Sequence, residues 1–159
     1  MPLRAIEPPL DSPDRRRLPP LLRRAWYSLN QAFRRRLTPL RLTPDQFTVL
    51  RTLLEGDSAG LTQTALARAM SSDPNTIASL VERMEEGALV ERRLDEKDRR
   101  ARRLRVTPLG RRRYAAAREI AVSLQAEVLA ALPEERREPF LADLAALGAA
   151  CRTAADAAE

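Results

Sequence analysis

Residues 62–106 read TQTALARAMSSDPNTIASLVERMEEGALVERRLDEKDRRARRLRV, and the order of elements in this stretch decides the fold. Thr62 opens a short helix with Ala65, Leu66, Ala69 and Met70 at inward positions, and Ser71 and Ser72 interrupt it. Asp73-Pro74 opens the next helix. The aspartate can accept amides of the first turn, and a proline at the first position has no N–H to lose there. Ile77, Leu80, Val81 and Met84 recur at the i, i+3, i+4, i+7 spacing of a buried helical stripe. Gly87 stands where a left-handed helix terminator belongs. Leu89–Leu94 and Arg102–Val106 then read as two short strands, with Leu89, Leu104 and Val106 inward, around the charged turn Asp95 to Arg100. Two short helices across a tight break, followed directly by a β-hairpin, are the order of a winged helix-turn-helix.

The chemistry of the second helix, residues 73–86, follows from its two faces. One face is the core stripe. The other offers Asn75, Thr76, Ser79 and Arg83, small or hydrogen-bonding side chains suited to a major groove about 12 Å wide. The helix N-terminus is expected to add backbone amides and a positive dipole end for phosphates. A wet outer face alone is what most amphipathic helices show. The hairpin over 89–106, with Lys97, Arg99 and Arg100 at its tip, turns the reading toward DNA.

Outward from this stretch the chain is helical. Leu18, Leu21, Leu22, Ala25, Trp26, Leu29, Ala32, Phe33 and Leu37 mark an amphipathic helix that Pro39 ends. Thr43-Pro44 starts another, with Phe47, Leu50, Leu53 and Leu54 inward and Gly56 as its stop. On the other side Thr107-Pro108 launches a long helix with Leu109, Ala117, Ala121, Leu124, Val128 and Leu132 on one face. Pro133 starts the last, which carries Phe140, Leu141, Leu144, Leu147 and Cys151; Pro139 predicts a kink or a late start. Prolines 2, 8, 9 and 13 make residues 1–13 a flexible N-terminal arm. The fold class is mainly α with a small β-hairpin wing: a winged helix-turn-helix over 42–107, flanked by helical segments 14–41 and 108–156.

Charge supports a polyanionic partner. The 159 residues carry a net charge of +6, and residues 88–118 alone hold 12 basic against 4 acidic side chains. Residues 119–159 reverse the sign, so the chain is polarised. With no histidine and a single cysteine, Cys151, zinc fingers, His-based triads and an intrachain disulfide are excluded. No metal and no cofactor is expected. The acidic pairs Glu85-Glu86 and Asp95-Glu96 have no pocket signature around them, and the chain is not read as an enzyme. It has no 18-residue apolar run and no signal core, so it is placed in the cytoplasm, off the membrane. The alternatives are a basic module for RNA or a membrane surface, which calls for aromatic platforms or a Lys- and Trp-rich amphipathic helix, and a regulator acting only through protein partners.

LTPDQFTVLRTLLE (42–55) and the stretch from Leu61 to Arg113, above all DRR (98–100) and VTPLG (106–110), resemble the MarR family of bacterial transcriptional regulators. The resemblance covers about residues 43–113; the flanking helices are similar in architecture only. It implies a homodimer whose first, fifth and sixth helices intertwine as a dimerisation module. It also implies two winged helices reading a palindromic double-stranded DNA operator, commonly as a repressor, and often a small aromatic or anionic effector. Carried over, Asn75, Thr76, Ser79 and Arg83 match the contacting face of the recognition helix. Arg100, with Arg99 beside it, matches the wing arginine of the minor groove, and Asp98 the acid that pairs with it. Arg23, Trp26, Tyr27 and Arg51 are expected near the effector pocket, with Phe33 on the same helix as the first three; Trp26 is read as dimer core ahead of pocket wall. Cys151 is expected to be a small apolar side chain in the dimer module.

Overall fold

The computed structural model describes residue 9 and residues 11–157. Most of the arm expected over 1–13 lies outside the described residues. Where it is described the chain turns tightly: the Ser12 amide donates to the Pro9 carbonyl at 3.0 Å and the Arg15 amide to the Ser12 carbonyl at 3.1 Å. Six α-helices and one hairpin follow among the described residues: α1 (Leu18–Leu37), α2 (Pro44–Glu55), α3 (Gln63–Ala69), α4 (Pro74–Glu86), β1 (Val90–Leu94), β2 (Arg102–Val106), α5 (Pro108–Leu129) and α6 (Glu134–Asp156), with a 3-10 turn at Thr38–Leu40. The fold is the mainly helical winged helix that the element order predicts. The chain forms two compact units, Met1–Ile120 and Ala121–Glu159. None of the described helices is long and apolar enough to cross a membrane.

In the first unit side chains fix the starts of α2 to α5, whereas α1 begins at Leu18 with no side-chain cap. Thr43 and Gln46 form a reciprocal capping box, each side chain accepting the other's amide, at 3.2 and 3.0 Å. Thr62 accepts the Ala65 amide at 3.2 Å, and Thr107 the Gly110 amide at 3.0 Å. Each such cap contributes about 0.5–2 kcal/mol relative to alanine. The core these helices enclose includes Phe47, Val49, Leu50 and Leu53 from α2 and Ile77, Leu80, Val81 and Met84 from α4; Leu89, Val90, Leu104 and Val106 come from the hairpin region. The α4 stripe is the one expected. On α2 Val49 is buried and Leu54 only half-buried. On α3 the inward residues are Leu66 and Ala67 instead of Ala65, Ala69 and Met70. Seven residues make only two turns, and alternating alanines leave the helical phase unmarked.

Two helix ends close in the same way. At α3 the Ser71 amide donates to the Arg68 carbonyl and the Ser72 amide to Ala67; at α4 the Ala88 amide donates to Glu85 and Leu89 to Met84. Both are the paired terminator in which the residue after the cap turns left-handed. That residue is Ser71 (φ 49°) in the first and Ala88 (φ 54°) in the second. Gly87, expected to be left-handed, has φ −78° and is the helical cap one position earlier.

The hairpin is antiparallel, pairing Val90 with Val106, Glu91 with Arg105, Arg92 with Leu104, Arg93 with Arg103 and Leu94 with Arg102. The outer edge of β2 is not bare. Leu61 and Leu104 exchange both backbone bonds, at 3.2 and 2.7 Å, adding one residue of a third strand. Gly60 makes this approach possible: its φ is +93°, and a Cβ there would lie 2.4 Å from the Leu104 carbonyl oxygen.

In the second unit α6 begins at Glu134, so Pro139 lies inside the helix and causes no late start. Arg137 donates through Nε to the Leu129 and Leu132 carbonyls, at 3.1 and 3.2 Å, closing the end of α5. No residue of α6 is buried.

Candidate nucleic-acid interface

α4 is docked by its apolar stripe, which leaves Asn75, Thr76, Ser79 and Arg83 exposed on the opposite side. Its start differs from expectation. One Asp73 carboxylate oxygen accepts the Asn75 and Thr76 amides, at 2.9 and 3.0 Å, and the Asp73 carbonyl accepts Ile77. Pro74 has no N–H. The first turn therefore offers no free amide to a phosphate, because the capping acid already occupies that position. The helix presents side chains to a ligand, not its backbone.

Beside α4, a depression of about 290 Å³ is lined by Gln63, Thr64, Ala67, Arg68, Ser72 and Pro74. The sequence reading did not single out Thr64 or Arg68. Their i, i+4 spacing on the outer side of α3 was the signal available.

The hairpin carries the cations. Its turn is built by two aspartates. Asp95 accepts the Lys97 amide at 2.8 Å, and Asp98 accepts the Arg100 amide at 2.9 Å. Each carboxylate bonds the amide two residues on, a local turn that competes with longer-range pairing. This replaces the expected Asp98–Arg100 ion pair: Asp98 holds the backbone of Arg100, not its guanidinium. Among the described residues Lys97, Arg99 and Arg100 make no side-chain ion pair, and all three are exposed. Of the two turn aspartates, the one that holds a guanidinium is Asp95, whose carboxylate pairs with Arg103 Nε. The hydrogen bond from Arg103, with help from the Lys97 amide, holds the Asp95 carboxyl below the usual carboxylate range, and Arg103 is raised in turn. A depressed carboxyl stabilises the fold above its unfolded value. The bridge thus persists at neutral pH and is lost only as pH falls through the lowered value. Arg103 also donates to the Gly60 carbonyl, and Arg105 to Ala59, at 2.8 and 2.9 Å, binding the loop before α3 to the hairpin.

Of the residues expected at an effector pocket, three lie on α1 and one on α2. Trp26 and Tyr27 stand 66% and 64% exposed on α1, and Arg23 is exposed near them in sequence. Arg51 is on α2, its guanidinium 5.7 Å from the Phe47 ring centre. Phe47 in turn meets Phe33 edge-on at 5.1 Å and stacks on Tyr114 at 5.3 Å. Helical proximity in the sequence suggested Trp26, Tyr27 and Phe33, of which Phe33 joins the aromatic cluster; a contact between residues 47 and 114 had no local signal. Cys151 is exposed.

The model of the MarR family matches residues 42–101, the span of α2 through the hairpin turn. The transcriptional regulator HosA of Escherichia coli O127:H6 is 33% identical over 126 residues, covering 76% of this chain and 92% of HosA. The Staphylococcus aureus MepR–DNA complex has the same fold, with a TM-score of 0.79 at 24% identity over 86% of this chain and 99% of MepR. The repressor CouR bound to a 23-mer DNA duplex gives 0.74 at 27% identity, covering 80% of this chain and 89% of CouR. CouR from Rhodococcus jostii RHA1 has also been solved with p-coumaroyl-CoA, at 28% identity to this chain.

Proposed function

The chain belongs to the MarR family of transcriptional regulators, and from that premise we propose that it is a homodimeric cytoplasmic repressor that binds a palindromic operator and is released by a small aromatic or anionic effector. The observation that carries the DNA reading is a pair of solvent-facing features on one core: the Asn75, Thr76, Ser79 and Arg83 face of α4, and a hairpin tip whose Lys97, Arg99 and Arg100 are unpaired. In this reading α4 enters the major groove, where each base pair is distinct, and the hairpin tip reaches the minor groove and backbone. The duplex-bound form of CouR supports it.

Segments 14–41 and 108–156 form the dimer module around the winged helix of 42–107. Leu18, Leu21, Leu22 and Trp26 on α1, Val122 and Val128 on α5, and Phe140, Leu144 and Leu147 on α6 are all between 36% and 66% exposed in a single copy. Apolar faces of that extent favour a second copy, related by a two-fold axis. For the effector, the support is CouR with its CoA ester and, in this chain, the cation of Arg51 over the Phe47 ring, which itself packs on Phe33 and Tyr114. In this reading Arg23, Trp26 and Tyr27 are exposed residues of α1, the helix that contributes Phe33 to that cluster.

The test is titration of a labelled duplex from the region upstream of its own gene against a scrambled duplex of the same composition. A dimer neutralising about 6–10 phosphates gives a log–log salt slope near −5 to −9. Half-sites are centred about one helical turn, roughly 10 bp, apart. A slope near zero, or equal affinity for both duplexes, overturns the proposal.

A further inference from the structure

One side chain marks where the hairpin leaves the body. Along β1, Val90, Arg92 and Leu94 share one face with their partners Val106, Leu104 and Arg102. Val90 is buried, 2% exposed, whereas Leu94 is 62% exposed, so the strand passes from core to solvent between them. Arg92 occupies that boundary, and its guanidinium has two partners on other elements. Nε donates to Glu85 Oε2 in the last turn of α4 at 2.9 Å, and the terminal Nη2 donates to Gln63 Oε1 at the start of α3, also at 2.9 Å. The Arg92 and Glu85 side chains are each about 30% exposed, 31% and 30%, so solvent screens the pair only in part.

We propose that Arg92, bracketed by Glu85 and Gln63, is a positioning residue that fixes the angle of the wing to the recognition helix, so that the two engage their grooves together. The inference rests on the DNA reading above. A guanidinium suits the task because its planar fork donates in two directions at once, which an ammonium on a flexible stem does not reproduce. The opposite edge of the hairpin is already tied, by the Leu61–Leu104 exchange and by Arg103 and Arg105 on the loop carbonyls of Gly60 and Ala59. Arg92 supplies the restraint on the other edge, against α4 itself. Arg92 is therefore set apart from Arg99 and Arg100: its cation is engaged within the protein, and theirs are not.

The experiment uses the full-length protein and a duplex enriched by the wild type from a random-sequence pool. Failure of that enrichment overturns the DNA reading and the positioning role with it; on an enriched duplex, the variants test the bracket by itself. Arg92→Ala and Glu85→Ala are each expected to weaken binding about fivefold to tenfold, with an unchanged salt slope and thermal midpoints within a few degrees of wild type. The Glu85→Ala result is the diagnostic one. Removing an acid from a DNA-facing surface strengthens binding by simple electrostatics, so a loss is explained only by positioning. In an Arg100→Ala background, where the wing's contact is already gone, Arg92→Ala should add less than a twofold loss. Stronger binding by Glu85→Ala overturns the proposal. So does a salt slope lowered by about one unit per protomer in Arg92→Ala, which marks a direct phosphate contact, and so does full additivity with Arg100→Ala.

Discussion

Residues 42–106 and the helices on either side of them carry similar apolar patterns with different outcomes in a single copy. In the winged helix the pattern closes on itself: of the buried apolar side chains among the described residues, only Leu37, Ala117 and Leu124 lie outside this span. On α1, α5 and α6 the same kind of stripe faces solvent, and α6 buries nothing. Hydrophobic periodicity thus states that a face is to be covered, but not by what. The winged helix supplies its own cover because α2, α3, α4 and the hairpin approach from several directions. The long flanking helices α1, α5 and α6 leave these faces without cover in one copy, which is the physical ground for the proposed dimer.

The sharpest way to break this comparison is to charge the flanks. Leu21→Asp combined with Leu144→Asp should leave the winged helix folded but reduce the sedimenting mass from about twice 17.9 kDa to the single-chain value. DNA affinity should fall about 10²–10⁴-fold as the two half-sites lose their linkage. A variant that still sediments at the doubled mass would show that these faces are covered by something else.

The matching test of the body is Leu50→Ala. Leu50 is fully buried, and truncation should cost about 2–5 kcal/mol in urea denaturation of the whole chain. A loss under about 1 kcal/mol would mean that the body is not the self-sufficient half.

Within the body, the comparison narrows to α4 against the hairpin tip. Asn75→Ala should cost roughly 1–3 kcal/mol on the preferred duplex and little on a scrambled one, because major-groove contacts carry sequence. Arg100→Ala should weaken both duplexes by similar factors and flatten the salt slope by about one unit per half-site. Titrations at two salt concentrations decide; a changed sequence preference in Arg100→Ala alone would exchange the two roles.

The smallest effect concerns the end of α4. Ala88 pays a left-handed penalty at φ 54° that glycine avoids, and it is exposed, so Ala88→Gly removes no core contact. The substitution should stabilise by up to about 1 kcal/mol, read as a raised thermal midpoint. Destabilisation would mean that the alanine limits the unfolded chain more than it strains the folded one.

The residues differ in how legible they were. The buried stripe of α4 was readable because Ile77, Leu80, Val81 and Met84 are large apolar side chains that stand out against polar neighbours in a 13-residue helix. α3 was not, since Ala65, Ala67 and Ala69 give no contrast and two turns fix no phase. Asp95 and Asp98 each precede an amide by two residues, and both close local turns. Only the partner across the hairpin, Arg103, distinguishes the one that also holds a guanidinium.

By itself the sequence determined the element order, the caps at Thr43, Thr62, Asp73 and Thr107, the core face of α4 and the cationic hairpin tip. These depend on neighbours within a few residues, where backbone geometry dictates which side chains meet. Only the tertiary structure decided that Leu61 edges the sheet, that Arg51 sits over Phe47, and that Arg92 joins β1 to both Glu85 and Gln63. All three join residues 4 to 43 positions apart. Even the four-residue Arg51–Phe47 contact draws its surroundings from Tyr114, and such pairings are selected by how whole elements pack, a choice that no local pattern encodes.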